Sequence, residues 1–366
     1  RSLVEPRPHN GIIEMGLVTP FMGQEADVTE ALTHLARQRT EGLFRRYHYP
    51  QGLEPHRRAG VKWVRRFQLE VQPEQIVICA GAQHALTCCL LGLFRPGDRL
   101  AVEELAYPGF KALAAMVGIL LVPVAMDEEG MCPESLDAAC RRDEIKGICL
   151  TPHIHNPTAR SMSAGRKEAL AGVLRRHDLV ALEDDAYGLT HPASSPPLAD
   201  HAPERVVFIA GLSKMLGGGL RVTYLVTPYG NEGLRGRVVD AVLNTIWMTP
   251  PLMADLVSLW IEEGRDEAII QSRLEEARRR NVVAREHLRE GTLHGHDAGF
   301  FLWLELPDVP GGSGATETGM LFEARAREAG VNVFGAERFV VGQAQAPRGV
   351  RLSLTSVSTL EELEQG

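Results

Sequence analysis

Between residues 75 and 227, short β-branched or apolar runs alternate with segments whose apolar positions recur at helical spacing. This is the pattern of βα units around a mostly parallel sheet. The runs are Ile76–Cys79, Leu100–Val102, Leu120–Val124, Gly147–Leu150, Leu179–Leu182, Val206–Ile209 and Val222–Val226, which predicts seven strands. Several are too uniformly apolar to have a wet face, so helices are expected to cover both sides of the sheet. After Val226 the pattern changes. Asp266–Glu290 reads as a charged amphipathic helix, Gly299–Leu306 as a strand, about Glu317 to Ala329 as a helix, and Val350–Leu354 as a strand. These predict a smaller α+β domain. The expected division is a large domain over residues 48–245, with residues 246–366 forming a small domain that the segment 1–47 crosses back to join. His191–Pro203 and Pro307–Thr316, rich in Pro, Gly, Ser and Ala, read as surface loops.

Composition narrows the partners. A 366-residue chain with 44% hydrophobic and 23% charged residues is long and apolar enough for a sizeable core. Its net charge of -8 gives no basic footprint for a polyanion, and no recognition helix is visible, so no nucleic acid contact is expected through these residues. No apolar run approaches the roughly 20 residues that span a bilayer, and Arg1–Asn10 lack the apolar centre of a signal peptide. The cysteines (Cys79, Cys88, Cys89, Cys132, Cys140, Cys149) lie in apolar stretches without a CxxC pair. They read as reduced core residues of a cytoplasmic protein, with no metal site expected. The first residue is Arg1 rather than Met, which leaves room for a segment upstream.

In an open parallel sheet, ligand groups come from the carboxyl ends of the strands, where loops and helix amino termini converge. After Ile76–Cys79 come Gly81, Ala82 and Gln83, opening a helix with apolar Leu86, Leu90 and Leu93; free amides there suit a phosphate. The next strands lead to Tyr107 in a turn with Pro108 and Gly109, to Asn156-Pro157-Thr158, to Glu183-Asp184-Asp185-Ala186-Tyr187, and to Ser213-Lys214 with Arg221 beyond. Taken singly these are weak. A lone Ser-Lys is usually a surface lysine, and Asn-Pro-Thr is a common turn. Glu183-Asp184-Asp185 alone suits a metal or a solvated acidic edge, and His153 and His155 have a spacing that allows chelation but better suits satisfied loop histidines. Tyr107 alone suits the core. Their order along successive strand ends gives them force. Amides, a flat ring, an amide side chain, a carboxylate and a lysine are together what pyridoxal 5'-phosphate needs: an anion cup, a stacking face, a phenolate donor, a partner for the ring nitrogen and an amine for the imine.

At these residues the chain resembles the fold-type I pyridoxal-phosphate-dependent aminotransferases, most closely the aminotransferase-like domain of the MocR branch of GntR-type transcriptional regulators. The phrases that carry the resemblance are Tyr47–Gly52 (YHYPQG), Gly81–Leu86 (GAQHAL), Asn156-Pro157-Thr158, Glu183–Gly188 (EDDAYG) and Ser213–Arg221 (SKMLGGGLR). It implies that Lys214 forms the internal aldimine and later shuttles the proton at the substrate α-carbon, while Asp184 pairs with the ring nitrogen. It also implies that Asn156 and Tyr187 bond the phenolic oxygen, Tyr107 stacks on the ring, and Ser213, Arg221 and the amides of Gly81, Ala82 and Gln83 hold the phosphate. Arg351, with Asn156 beside the substrate, would grip the α-carboxylate through its guanidinium fork. Tyr47 would reach over from a second subunit, so a homodimer is implied. Two positions depart from the family: Gly211 and Ala82 stand where many relatives carry hydroxyls, and each lost contact costs roughly 1 kcal/mol, so modest cofactor affinity is expected.

Two functions follow from the resemblance. One is an aminotransferase passing the amino group of an α-amino acid to a 2-oxo acid. The other is an effector-sensing domain of a MocR-type regulator whose DNA-binding domain lies outside this chain. The motifs of the cup do not choose among transaminase, lyase, racemase and oxidase, nor do they identify the amino acid.

Overall fold

The computed structural model describes residues 11–21, 25–37, 45–191, 195–288, 291–307 and 318–366. Seven strands form the larger sheet: β1 Ile76–Cys79, β2 Arg99–Glu103, β3 Leu120–Val124, β4 Ile145–Leu150, β5 Val180–Asp185, β6 Val206–Gly211 and β7 Thr223–Val226. Their spatial order is β1-β7-β6-β5-β4-β2-β3. All pairings are parallel except those of β7, which runs antiparallel to both β1 and β6. Ile78, Leu100, Ala101, Ile148, Leu182, Phe208 and Tyr224 are all at most 1% exposed, so both faces are dry as the apolar runs predicted. One face carries Val77, Cys79, Leu182 and Ile209 against helices α1 (Ala82–Leu93), α2 (Pro108–Met116) and α3 (Glu232–Ile246). The other face packs on Trp63, Leu170, Leu174 and Trp260.

The predicted strand ends need correction. β5 extends through Glu183, Asp184 and Asp185, read from sequence as loop, and pairs them with Phe208, Ile209 and Ala210. Glu183 and Asp185 survive there because their oxygens are answered: Glu183 accepts the amides of Leu198 and Ala199 (2.9 and 2.8 Å), and Asp185 accepts that of Gly188 (2.6 Å). β6 likewise runs on to Gly211.

A second sheet holds β8 Thr292–His294, β9 Phe301–Glu305, β10 Phe334–Gly335 and β11 Gly349–Ser353 in the order β8-β9-β11-β10, all antiparallel. Helices α4 (Arg265–His287) and α5 (Gly319–Glu328) accompany it. The amino-terminal segment crosses to this unit: Ile13 and Glu14 pair in parallel with Val331 and Asn332, and the amide of Ser353 donates to the carbonyl of Met15 (2.6 Å). Most of the Pro307–Thr316 loop lies outside the described residues.

Candidate active site

The carboxyl ends of β1, β4, β5 and β6 surround a cavity of about 550 Å³ whose walls include Ala82, Gln83, Tyr107, Asn156, Asp184, Tyr187, Ser213, Lys214 and Arg221. Nine of the residues singled out from sequence thus share one space. Leu86, Ala112, Leu113 and Met116 give it an apolar side.

The turn from β1 into α1 is set by Gly81, whose φ of 89° is a region L-residues rarely adopt. A Cβ at Gly81 would overlap the guanidinium of Arg221. The first-turn amides of α1 have no intrahelical acceptor, which makes them anion donors. Arg221 itself sits at φ 50° and donates to the carbonyls of Ala80 (3.1 Å) and Gly218 (3.2 Å). Cation, glycine turn and helix terminus thus lie together at one end of the cavity. Gly211 lines the cavity, but a Cβ there would stand 3.2 Å from Ala186 Cα and 3.3 Å from the Asp185 carbonyl. A hydroxyl-bearing residue would need the neighbouring strand to give.

Tyr107 caps α2 and remains 38% exposed over the cavity; Gly109 lies so close under its ring that a Cβ would collide with it. Ile154 and Ala159, which flank Asn156-Pro157-Thr158, both take positive φ (52° and 57°). Strained backbone on both sides of one loop marks a place where side-chain position outweighs local comfort. His155 holds that loop through both nitrogens, facing Thr158 Oγ1 at 2.8 Å and the Leu105 carbonyl at 3.0 Å. Burial first of all depresses its pKa to about 4, so it is a neutral brace rather than a ligand. His153 is buried with no partner for Nε2.

Lys214 and Asp184 face the same interior. Burial first, then the Arg351 charge, lowers the lysine to about 8, while Asp184 pulls the other way. The amine donates to the carbonyl of Val18 (2.6 Å) and stands 5.5 Å from the Tyr187 ring centroid. Desolvation first, then Asp185, raises Asp184 to about 7, and its Oδ1 is buried with no hydrogen-bond partner. Tyr187 is 5% exposed, packs edge-on against Phe301 (5.0 Å, 73°), and is raised by burial to about 12, so its hydroxyl is a donor at neutral pH.

Arg351 lies on β11, buried among the rings of Phe301, Phe334 and Phe339 at 5.8, 5.4 and 4.9 Å. It donates to Asn156 Oδ1 (2.5 Å) and to the Gly16 carbonyl (2.6 Å), linking the second sheet to the cavity. Tyr47 is not brought into this cavity: it is 79% exposed and packs on Trp247 at 5.1 Å.

Sequence reading missed three things here. The carbonyls of Gly16 and Val18 carry no side-chain signature. The aromatic cage of Arg351 comes from residues scattered between Phe301 and Phe339. The cluster of Cys79, His84 and Cys88, whose potential ligand atoms all lie within 4.8 Å of one another, was passed over because it lacks CxxC spacing; the helical interval from His84 to Cys88 was the available signal.

The family model for aminotransferase class I and II matches residues 18–366. An uncharacterized HTH-type transcriptional regulator of Bacillus subtilis, YdeF, is 34% identical over 366 residues, covering 100% of this chain and 77% of that protein. The 2-aminoadipate transaminase of Thermus thermophilus is 27% identical over 324 residues, 84% of this chain and 78% of the enzyme. The chain spans only about half of three further HTH-type regulators of Escherichia coli and Bacillus subtilis, 52%, 56% and 54% of their lengths. Among solved structures, Pyrococcus horikoshii kynurenine aminotransferase superposes with a TM-score of 0.85 at 22% identity, covering 98% of this chain and 89% of that one. The fold is fold-type I.

Proposed function

This chain belongs to the class I and II aminotransferase family, and from that premise we propose that it holds pyridoxal 5'-phosphate at Lys214 and moves an amino group from an α-amino acid to a 2-oxo acid. The observation that carries the reading is the unpartnered, buried Oδ1 of Asp184 facing the same cavity as the amine of Lys214. A buried carboxylate oxygen without a donor is costly unless something completes it, and a protonated ring nitrogen does so. The glycine turn that leaves no room for a Cβ beside Arg221 supports an anion at the other end of the same group.

When bound, the cofactor supplies an electron sink for the bond broken at the substrate α-carbon. The rest belongs to the chain. Lys214, lowered to about 8, has an appreciable neutral fraction near pH 7 and takes the α-proton on Nζ before returning it. Asp184 stays anionic once a cation faces it. Tyr187 Oη donates to an oxyanion, and Asn156, its Oδ1 already held by Arg351, presents its amide hydrogens on the same side. Arg351 releases the Gly16 carbonyl to take a substrate carboxylate. Tyr107 would cover the ring face, and Ser213 would join Arg221 and the amides of Ala82 and Gln83 on the phosphate, the Gly81 amide being already donated to the Cys79 carbonyl (2.9 Å).

A second reading, an effector-sensing domain of a transcriptional regulator, is favoured by the relatives named as HTH-type regulators. Both readings use the same site. Incubation of the purified chain with cofactor, a panel of amino donors and a 2-oxo acid separates them: turnover supports the enzyme, and a single exchange without turnover supports the sensor. Lys214→Ala is expected to lose the visible absorbance of bound cofactor together with amino transfer. Absorbance and transfer retained in that variant would end the assignment.

A further inference from the structure

Directly under the anion cup, two thiols and an imidazole face one another. Cys79 ends β1, His84 and Cys88 occupy successive turns of α1, and the residues between the cysteines include Gly81, Ala82 and Gln83. Cys88 Sγ lies 3.2 Å from His84 Nε2 and 3.8 Å from Thr245 Oγ1 of α3. We propose that Cys79, His84 and Cys88 form a peroxide-oxidisable thiol pair, with Cys88 as the attacking sulfur, Cys79 as the resolving one, and disulfide formation loosening the cup above them.

The tautomer of His84 separates this from metal binding. The backbone N–H of Ala80 donates to His84 Nδ1 (3.1 Å), so in the neutral ring the proton sits on Nε2. Nε2 therefore donates, toward Cys88 Sγ and toward Thr245 Oγ1 at 2.8 Å, and lacks the lone pair a metal would use. A donor aimed at a sulfur favours its thiolate. Cys79 and His84 both act in that sense on Cys88, Cys79 most strongly, against the penalty of burial. Cys79 is driven the opposite way by its bond to Cys88 and by burial, so it keeps its proton. One thiolate beside one thiol is the arrangement of an attacking and a resolving cysteine. Cys88 itself is 0% exposed, and its sulfur lies against half-buried His84 and exposed Thr245, two side chains that reach the surface.

The chemistry balances. The Cys88 thiolate attacks a hydroperoxide oxygen, the O–O bond breaks, and the departing alkoxide or hydroxide takes a proton from the medium. Cys79 then attacks the sulfenic sulfur; the S–S bond forms, and the hydroxyl leaves as water with the Cys79 proton. Two thiols and one hydroperoxide give one disulfide, one alcohol (or water) and one water. The sulfurs, now within 4.8 Å, must close to about 2.05 Å, a contraction that draws the end of β1 and the second turn of α1 together. Gly81, Ala82 and Gln83 lie on the chain between them.

The effect on cofactor rests on the proposed function; the oxidation does not, and the test keeps them apart. The whole chain, without cofactor, is treated with stoichiometric hydrogen peroxide and mapped by non-reducing peptide mass spectrometry. A Cys79–Cys88 linkage is expected, and in Cys79→Ala a dimedone adduct on Cys88. Between pH 8 and pH 6 an ordinary thiol of pKa about 8.5 loses roughly 75-fold of its thiolate. Wild-type Cys88 should slow less than about threefold over that range, and His84→Leu should steepen the loss. Pyridoxal phosphate should bind the oxidised chain at least about tenfold more weakly, with recovery after dithiothreitol. Unmodified thiols at 79 and 88, modification only at the other cysteines, or tightly retained zinc on unreactive sulfurs would overturn the oxidation site. A disulfide with unchanged cofactor affinity would overturn its link to the cup.

Discussion

The same burial moves the protons of Asp184 and Lys214 in opposite directions, and this gives opposite consequences for folding. Asp184 is raised to about 7, chiefly by desolvation, from an ordinary carboxyl value of 3.8. From about pH 4 to about pH 7 the folded chain therefore holds a proton that the unfolded chain has lost, so this carboxyl lowers stability as pH rises through that window. Asp184→Asn removes the penalty: the cofactor-free variant is expected to melt above wild type at pH 8, with the gap closing near pH 4. The difference is at most on the order of 4 kcal/mol, and calorimetry at the two pH values checks it. Cofactor affinity should fall in the same variant, a trade expected of a residue kept for binding. Lys214, brought down to about 8 by burial and then by Arg351, should be trapped by pyridoxal phosphate and borohydride at a rate that rises through about pH 8 and then levels. At this scale the sequence was informative about side chains: Lys214 and Asp184 line one cavity, and Arg351 bonds Asn156 in its wall. It was silent on Val18 and Gly16, whose contribution is a carbonyl that any residue possesses.

Among elements, the turn between β1 and α1 carries the most consequence per residue. Gly81→Ala places a side chain at φ 89° and against Arg221, so both backbone and cation must shift. The expected result is a loss of about 1–3 kcal/mol in stability and at least tenfold weaker cofactor binding, read by thermal melts and by titration. Apolar periodicity located all seven strands of the larger sheet, because a strand dry on both faces is written almost wholly in β-branched and aliphatic residues. It stopped short at Glu183 because acidic residues read as loop. Their amide partners Leu198 and Ala199 lie more than a dozen residues on, beyond the reach of a local pattern. The antiparallel course of β7 was likewise invisible, since direction in a sheet depends on the connections and not on composition.

For the whole molecule, surface aromatics are the unexplained expense. Tyr47 and Tyr49 are 79% and 70% exposed, and Trp247 is 52% exposed while holding a positive φ of 67° at the end of α3. A strained, solvent-facing tryptophan with a tyrosine ring tilted against it (5.1 Å, 47°) is a surface awaiting cover. A second copy of the chain is the expected occupant, and Trp247→Glu should shift the sedimenting species toward half its mass. An unaltered sedimentation coefficient would count against the paired assembly. No helix among the described residues is long and apolar enough to cross a membrane. Finally, the strand of chain at Gly16 and Val18 occupies with its own oxygens the donors of Arg351 and Lys214. A guest that takes over these two donors must displace this resident, so part of any measured affinity is a difference between the guest and the chain's own backbone. Shortening or stiffening that stretch is thus a way to tune the occupancy of the site without touching any residue inside it.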